Sequence, residues 1–445
     1  MRRPKETTMT EPTSIAASAT PTRRSFLSGT GALATAAAAR ALFPAGAFAQ
    51  GAGPEFKGTR LGYIALTDAA PLIIAKEKGL FAKYGLPDMD IAKQASWGAT
   101  RDNMALGFKA NGIDGGHVLR PKTHLYATGK VMQNGQPLPM YTLLNLNEDC
   151  QAFSVSNDYK GLGVNVNAAP LKEAFARKKA EGKEVKVAVT FPGGTHDLWM
   201  RYWLAAAGID PDKDVSTIVV PPPQMVANMK VGTMDAFCVG EPWNEQLVNQ
   251  NIGFTAATTG EMWFRHPEKI LAMRADVVDA NPRATQAIMM AVMEAQMWCE
   301  KMENKQEMAE IVGRRQWFNV PVADIIGRLK GDINYGDGRA PVKGSNLLMK
   351  FWGEKGETSY PWKSLDTWMI TENIRWGRFD ANLDARALVD RTNRSDLWIA
   401  AAKALGVAGH PTGESRGVEK FFDGKIFDPA NPSAYLASLG IKRVA

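Results

Sequence analysis

The chain has 445 residues, 45% hydrophobic and 22% charged, the profile of an ordinary globular protein rather than a disordered or fibrous one. Its formal charge of +7 comes partly from the first 49 residues, where Arg2, Arg3, Lys5, Arg23, Arg24 and Arg40 face only Glu6 and Glu11, leaving +3 for the rest. So small an excess, with no Lys/Arg stripe, argues against a nucleic-acid partner. Beyond that leader, no stretch of about 20 residues is free of charge, which argues against a membrane-spanning helix.

The leader reads as a bacterial export signal. Thr22-Arg23-Arg24-Ser25-Phe26-Leu27 is a twin-arginine pattern, and residues 29–43 form a weakly apolar stretch rich in Ala and Gly. Pro44 ends that stretch, and Ala47-Phe48-Ala49 offers a small-x-small site for cleavage after Ala49. Arg40 inside the apolar stretch suits a removable signal better than an anchor, and no Cys precedes Cys150 to carry a lipid. The expected product is a soluble periplasmic chain of about 396 residues, enough for two or three lobes. Its cysteines, Cys150, Cys238 and Cys299, are too widely spaced for a Cys-x-x-Cys site, allow at most one disulfide, and read as buried small hydrophobes.

Residues 60–66 form a short apolar run of strand length, followed by Thr67-Asp68 and by a helix that Pro71 opens and Lys78-Gly79 closes. A second strand over 89–93 runs into Ser96-Trp97-Gly98, and further strands are expected at 113–119, 140–144 and 151–155. The rhythm restarts with a strand at 185–190, the loop Phe191-Pro192-Gly193-Gly194, and a helix from Thr195 to Ala207. A strand at 218–220, a helix at 225–231 and a strand at 236–239 follow, the last entering Gly240-Glu241-Pro242-Trp243. This alternation predicts parallel α/β layers. After the apolar run 270–273 the chain turns helical, with helices predicted over 282–314 and 320–329 and a mostly helical remainder.

In open α/β sheets, ligands bind beyond the carboxyl ends of the strands. Thr67-Asp68, Ser96-Trp97-Gly98, Gly193-Gly194-Thr195-His196 and Gly240-Glu241 all stand at such ends. In the third, Thr195 reads as the N-cap of a helix whose free N–H groups would attract an anion, with His196 beside it. Spacing alone leaves a plain tight turn equally open. Trp97 beside Gly98 suits either an indole face for a ligand or a core position, while Gln151 and Lys269 have solvated readings as well as binding ones. No Gly-x-Ser-x-Gly elbow, His-Glu-x-x-His pair or phosphate-cradling Gly-x-x-x-x-Gly-Lys-Ser/Thr is present. The histidines lack metal-ligand spacing, so neither catalysis nor a metal or cofactor is expected.

Several motifs in order carry a family resemblance. Ala95-Ser96-Trp97-Gly98-Ala99-Thr100-Arg101-Asp102-Asn103, Phe191-Pro192-Gly193-Gly194-Thr195-His196-Asp197-Leu198-Trp199, Gly240-Glu241-Pro242-Trp243-Asn244 and His266-Pro267-Glu268-Lys269 resemble the solute-binding receptors of nitrate and bicarbonate ABC importers. Asn334-Tyr335-Gly336-Asp337-Gly338-Arg339 and Ile374-Arg375-Trp376-Gly377 extend the match over nearly all of the mature chain. The resemblance implies a two-lobed α/β clamp of the type II periplasmic-binding-protein kind, with two crossing strands and extra C-terminal helices. Lobe 1 would comprise 57–155 with 265–445, lobe 2 156–264. It implies a ligand held near Trp97, Gly98, Gln151, Thr195, His196, Gly240 and Lys269, and a monomer that delivers it to a membrane permease.

By the same resemblance Lys269 favours nitrate, with nitrite as a second ligand, since the bicarbonate receptors use calcium and an acidic ligand where the nitrate receptors have a basic one; bicarbonate with calcium, or another small anion, stays open as the alternative. On an extended strand, the neighbouring Glu268 should then face away. Two other classes compete: a cytoplasmic nitrate sensor, which the export signal disfavours, and a pyrimidine-synthase-like enzyme, whose cysteine-rich iron motif is missing. One departure concerns Arg120-Pro121-Lys122-Thr123-His124-Leu125, where nitrate receptors carry a Thr/Ser-Pro-Met-Pro-Tyr type of segment. Its added cations are expected at the cleft rim.

Overall fold

The computed structural model describes residues 53–444, so the export-signal reading lies outside the described residues. Ten strands build two sheets: β1 (Arg60–Tyr63), β2 (Asp90–Lys93), β3 (Gly115–Leu119), β4 (Met140–Asn145), β5 (Gln151–Ser156), β6 (Lys186–Val189), β7 (Ser216–Val219), β8 (Ala236–Gly240), β9 (Gly253–Thr258) and β10 (Lys269–Arg274). The first sheet runs β2-β1-β3-β10-β4 and the second β7-β6-β8-β5-β9. Helices named below are α1 (Ala70–Glu77), α2 (Trp97–Leu106), α3 (Lys122–Ala127), α4 (Thr195–Ala206), α5 (Pro282–Glu300) and α6 (Lys363–Arg375).

Each sheet is mixed rather than purely parallel. β1 pairs in parallel with β2 and β3, while β10 runs antiparallel between β3 and β4. The second sheet repeats the pattern, with β6 parallel to β7 and β8, and β5 antiparallel between β8 and β9. The antiparallel insertions exist because β5 and β10 each enter their sheet from the other lobe. β5 therefore belongs to the second lobe, although the sequence reading ended the first lobe at residue 155. The true crossing is residues 146–150, running beside residues 265–268: Leu146 N–H donates to Lys269 O (2.7 Å), Glu268 N–H to Asn147 O (3.2 Å) and Asp149 N–H to His266 O (3.1 Å).

Local chemistry explains the elements that face the cleft. Ser96 caps α2 by accepting from Ala99 N–H at 3.1 Å, a contact whose loss costs about 1 kcal/mol. Gly193 turns with φ +74°, and a Cβ there would meet Asn373 Oδ1 at 2.7 Å, so both conformation and space require glycine. The second lobe's core is aromatic: Phe153 stacks on Trp203 with centroids 4.7 Å apart, and Trp199 stacks on Trp368 at 5.2 Å. Each such pair contributes about 0.5–1.5 kcal/mol beyond its burial. The three cysteines are free and buried.

The C-terminal half departs from the helical expectation. The run over 320–329 forms no continuous helix: it breaks at Ile325 into a 3-10 turn at Val322–Asp324, after Pro321, and a single helical turn at Ile326–Leu329. No helix or named strand covers 330–362. The extension also bridges rather than joining lobe 1 alone: Asp366 of α6 pairs with Arg120 after β3, while Trp368 of the same helix stacks on Trp199 of α4.

Candidate functional site

The carboxyl ends of β1, β2, β3, β6 and β8 converge between the lobes, and the amino end of β10 meets them there. The centre is Asp68, fully buried just after β1. Its Oδ2 accepts from Lys269 Nζ at 3.0 Å and from Gln151 Nε2 at 3.1 Å, and its Oδ1 lies 2.5 Å from His117 Nε2. Gln151 Oε1 is 2.9 Å from His196 Nε2, whose ring Nδ1 lies 2.6 Å from Thr190 Oγ1. Because Asp68, His117 and Lys269 come from the first sheet and Gln151 and His196 from the second lobe, this network spans the cleft. Backbone closes it too, with Thr67 N–H donating to Glu241 O at 2.7 Å. Gly240 lies against the cluster: a Cβ there would stand 2.5 Å from Gln151 Oε1 and 3.3 Å from Asp68 Oδ2.

Glu268 corrects the sequence reading. It precedes β10 rather than alternating within it, and it turns inward. Its Oε1 accepts from Lys269 Nζ at 2.6 Å and from Thr195 Oγ1, and its Oε2 from Trp199 Nε1 at 2.6 Å. Lys269 is thus bracketed by two carboxylates instead of standing as a spare cation. Thr195 is also not the helix cap: Gly194 holds that position and Thr195 is the first residue of α4. Trp97 opens α2 fully buried, its ring 5.4 Å from His117. Gly98 follows, and a Cβ there would touch only Ser96 Oγ at 3.6 Å, so packing does not demand glycine.

The departure segment divides by face. Arg120 and His124 turn away from the cleft to Asp366 of α6, with Arg120 Nε donating at 2.7 Å and His124 Nε2 at 3.3 Å from the same oxygen. They are not rim cations, because the buried acid of the C-terminal helix takes them. Only Lys122 faces the Trp97 side, with Nζ donating to Trp97 O at 2.8 Å. Asp68, Glu268, His117 and Lys122 are the cleft residues that pattern reading left out or misplaced. Asp68 had a signal, as a carboxylate at a strand end; the others became neighbours only through folding.

Burial pushes Asp68 up, but Lys269 and His117 outweigh it and hold the carboxyl well below its usual range. Burial alone would lower Lys269; its two carboxylates hold it above the ordinary lysine value instead. His196 is pushed down to about 3, by burial first and then by Lys269, and burial likewise takes His266 to about 3. Both stay neutral in the folded protein while the unfolded chain gains their protons below 6.5. Stability should therefore be complete above pH 6.5 and fall as pH drops toward 3, by up to about 1.4 kcal/mol per unit for each histidine. Thermal melts from pH 8 to 5 should show a plateau and then a decline; a melting temperature unchanged down to pH 5 would contradict the assignment.

Among the buried polar groups at the cleft with no hydrogen-bond partner among the described residues are Trp97 Nε1 and Thr67 Oγ1. A buried N–H without an acceptor is costly, and its place beside the network suits an acceptor supplied by a ligand. Two α/β lobes, a double crossing and a closed polar cleft define a two-lobed solute-binding protein of the periplasmic binding class.

The comparisons are specific. The NMT1-like family model matches residues 52–313, and the chain belongs to that family. It is 56% identical over 393 residues to the nitrate/nitrite binding protein NrtA of Synechocystis, covering 88% of this chain and 86% of that one. The bicarbonate-binding protein CmpA of Synechococcus elongatus is 45% identical over 397 residues, covering 87% and 88%. The crystal structure of the periplasmic nitrate-binding protein NrtA from Synechocystis superposes with a TM-score of 0.85, covering 88% of this chain and all of that one.

Proposed function

We propose that this chain is the extracytoplasmic receptor of an ABC importer that closes on nitrate, with nitrite as a second ligand, and presents it to a membrane permease. Its binding residues in this reading are Trp97, Gly98, Gln151, Thr195, His196, Gly240 and Lys269. The observation that carries it is the closed inter-lobe cluster of donors with the Trp97 N–H left unpaired, in a chain 56% identical to NrtA. Nitrate is planar and singly charged, and its three acceptor oxygens suit indole, amide, imidazole and ammonium donors.

The Lys269 ammonium argues against bicarbonate held with calcium. It lies 2.6 and 3.0 Å from the two carboxylates, where a calcium ion bridging them would have to sit. The reading includes twin-arginine export with cleavage after Ala49, a monomeric receptor, and release of the anion unchanged. Isothermal titration of residues 50–445 with nitrate should give saturable heat from a single site, indifferent to calcium. No heat from nitrate, or binding of bicarbonate that requires calcium, would overturn it.

A further inference from the structure

We propose that Asp149, in the first crossing between the lobes, carries a proton that closure of the clamp takes up and opening gives back. Ligand capture is then linked to pH through the hinge, outside the cleft. The inference rests on the reading that nitrate closes the clamp.

The state of the carboxyl group carries the first part. Asp149 is fully buried, and neither Oδ1 nor Oδ2 has a hydrogen-bond partner among the described residues. A carboxylate buried in that way is far costlier than the neutral acid. The charged and titratable groups around it are Glu148 and Cys150 beside it in the chain, Arg265 and His266 of the other crossing, and Arg416 of the C-terminal extension. None of them is a free countercharge. Arg416 Nη1 lies 2.9 Å and Arg265 Nη1 3.5 Å from the Glu148 carboxylate, which takes both guanidiniums. His266 Nε2 stands 3.8 Å from Asp149 Oδ1 but only 2.7 Å from Thr259 Oγ1, and burial keeps its ring neutral. Burial first, and then Glu148, take the Asp149 carboxyl well above the ordinary carboxylate range, which the two arginines oppose only in part.

Position carries the second part. Asp149 and Cys150 hold left-handed backbone, with φ +60° and +65°, and Arg265 on the other crossing does so at +61°. Residues with side chains rarely adopt that conformation, and a clamp's rotation is absorbed by a few dihedrals in its connecting segments. The parts that enclose the carboxyl are ones such a rotation separates. A Cβ on Gly260, in the second lobe, would stand 3.2 Å from Asp149 Oδ1 and 3.0 Å from Leu347 Cδ2. His266 covers the same oxygen from the other crossing. As the lobes swing apart this packing loosens, water reaches the carboxyl, and it ionises like an ordinary aspartate.

The sign follows from counting protons. The closed form holds one more than the open form, so closure is favoured as pH falls and opposed as pH rises. Between the carboxyl's values in the open and closed forms, affinity should weaken about tenfold per pH unit. Nitrate does not titrate in this range, so the dependence belongs to the protein. A purely structural buried acid keeps its proton in both forms and gives no such dependence.

The test is nitrate titration calorimetry on residues 50–445 and on Asp149→Asn, from pH 5.5 to 9, in buffers of different ionisation enthalpy. Asparagine keeps the shape, tolerates the left-handed backbone and carries no titrating proton. The parent should take up about one proton per nitrate within this range and lose affinity with rising pH. Asp149→Asn should take up none, show a flat profile, and bind nitrate at least about tenfold more tightly than the parent at pH 8. No proton uptake by the parent at any pH, or uptake that persists in Asp149→Asn, overturns the inference and leaves the nitrate reading standing. A parent that binds no nitrate at any pH overturns both. If Asp149→Asn fails to fold, infrared difference spectra of the parent decide: a protonated carboxylic acid band appearing on nitrate addition supports the inference, and its absence overturns it.

Discussion

Lys269→Met is expected to produce the largest double loss in the protein, of nitrate capture and of fold stability. The ammonium sits fully buried between Asp68 and Glu268, so its removal leaves two carboxylates facing each other without a countercharge. Removing one member of a buried pair costs about 3–5 kcal/mol. Nitrate affinity should fall at least about 100-fold, about 2.7 kcal/mol, because the anion then meets two unscreened negative groups. Acid should partly restore stability as one carboxyl takes up a proton. Adding Glu268→Gln should restore more of it, since one charge is gone while Oε1 still accepts from Thr195. Urea denaturation at pH 7 and 5, with nitrate titration alongside, reads both losses. A stable Lys269→Met protein that captures nitrate normally would overturn the network described for the cleft.

Asp366→Ala should cost about as much stability, about 3–5 kcal/mol, with little effect on the ligand. Asp366 accepts from Arg120 Nε at 2.7 Å and from Asn393 Nδ2 at 2.7 Å. Although burial raises its carboxyl, Arg120 leads the groups that hold it at about 2. Without the acid, the Arg120 guanidinium stays buried with only Asn145 Oδ1 and Trp362 O to accept from it. Asp366→Asn should cost less, because it keeps an acceptor. Neither residue reaches the cleft, so nitrate affinity of the folded fraction should change by less than about threefold, about 0.7 kcal/mol. A tenfold loss of affinity in a well-folded Asp366→Ala protein would place Arg120 at the ligand after all.

These two cases mark where sequence reading succeeds and stops. Strand and helix positions were legible because each carries local chemistry: apolar runs of strand length, Pro71 opening α1, and Gly193-Gly194 turning into α4. The residues gathered at strand ends were legible for the same reason, since a sheet brings those ends to one edge. β9 was missed, as its mixed small and polar residues Gly253–Thr258 show neither alternation nor a continuous apolar run. The helical expectation for 330–362 failed because composition does not reveal which segments find a packing face.

What the sequence by itself determined is therefore the order of elements, the two-lobed class and the set of polar residues at the cleft, because propensity, turn chemistry and motif order are properties of neighbours along the chain. Only the tertiary structure decided which charge belongs to which partner. Glu268 turned inward to Lys269, Arg120 and His124 were claimed by Asp366 some 240 residues away, and Lys122 was left without a carboxylate. Electrostatic energy depends on distance in space and on burial, and neither is written in the spacing of residues along the chain.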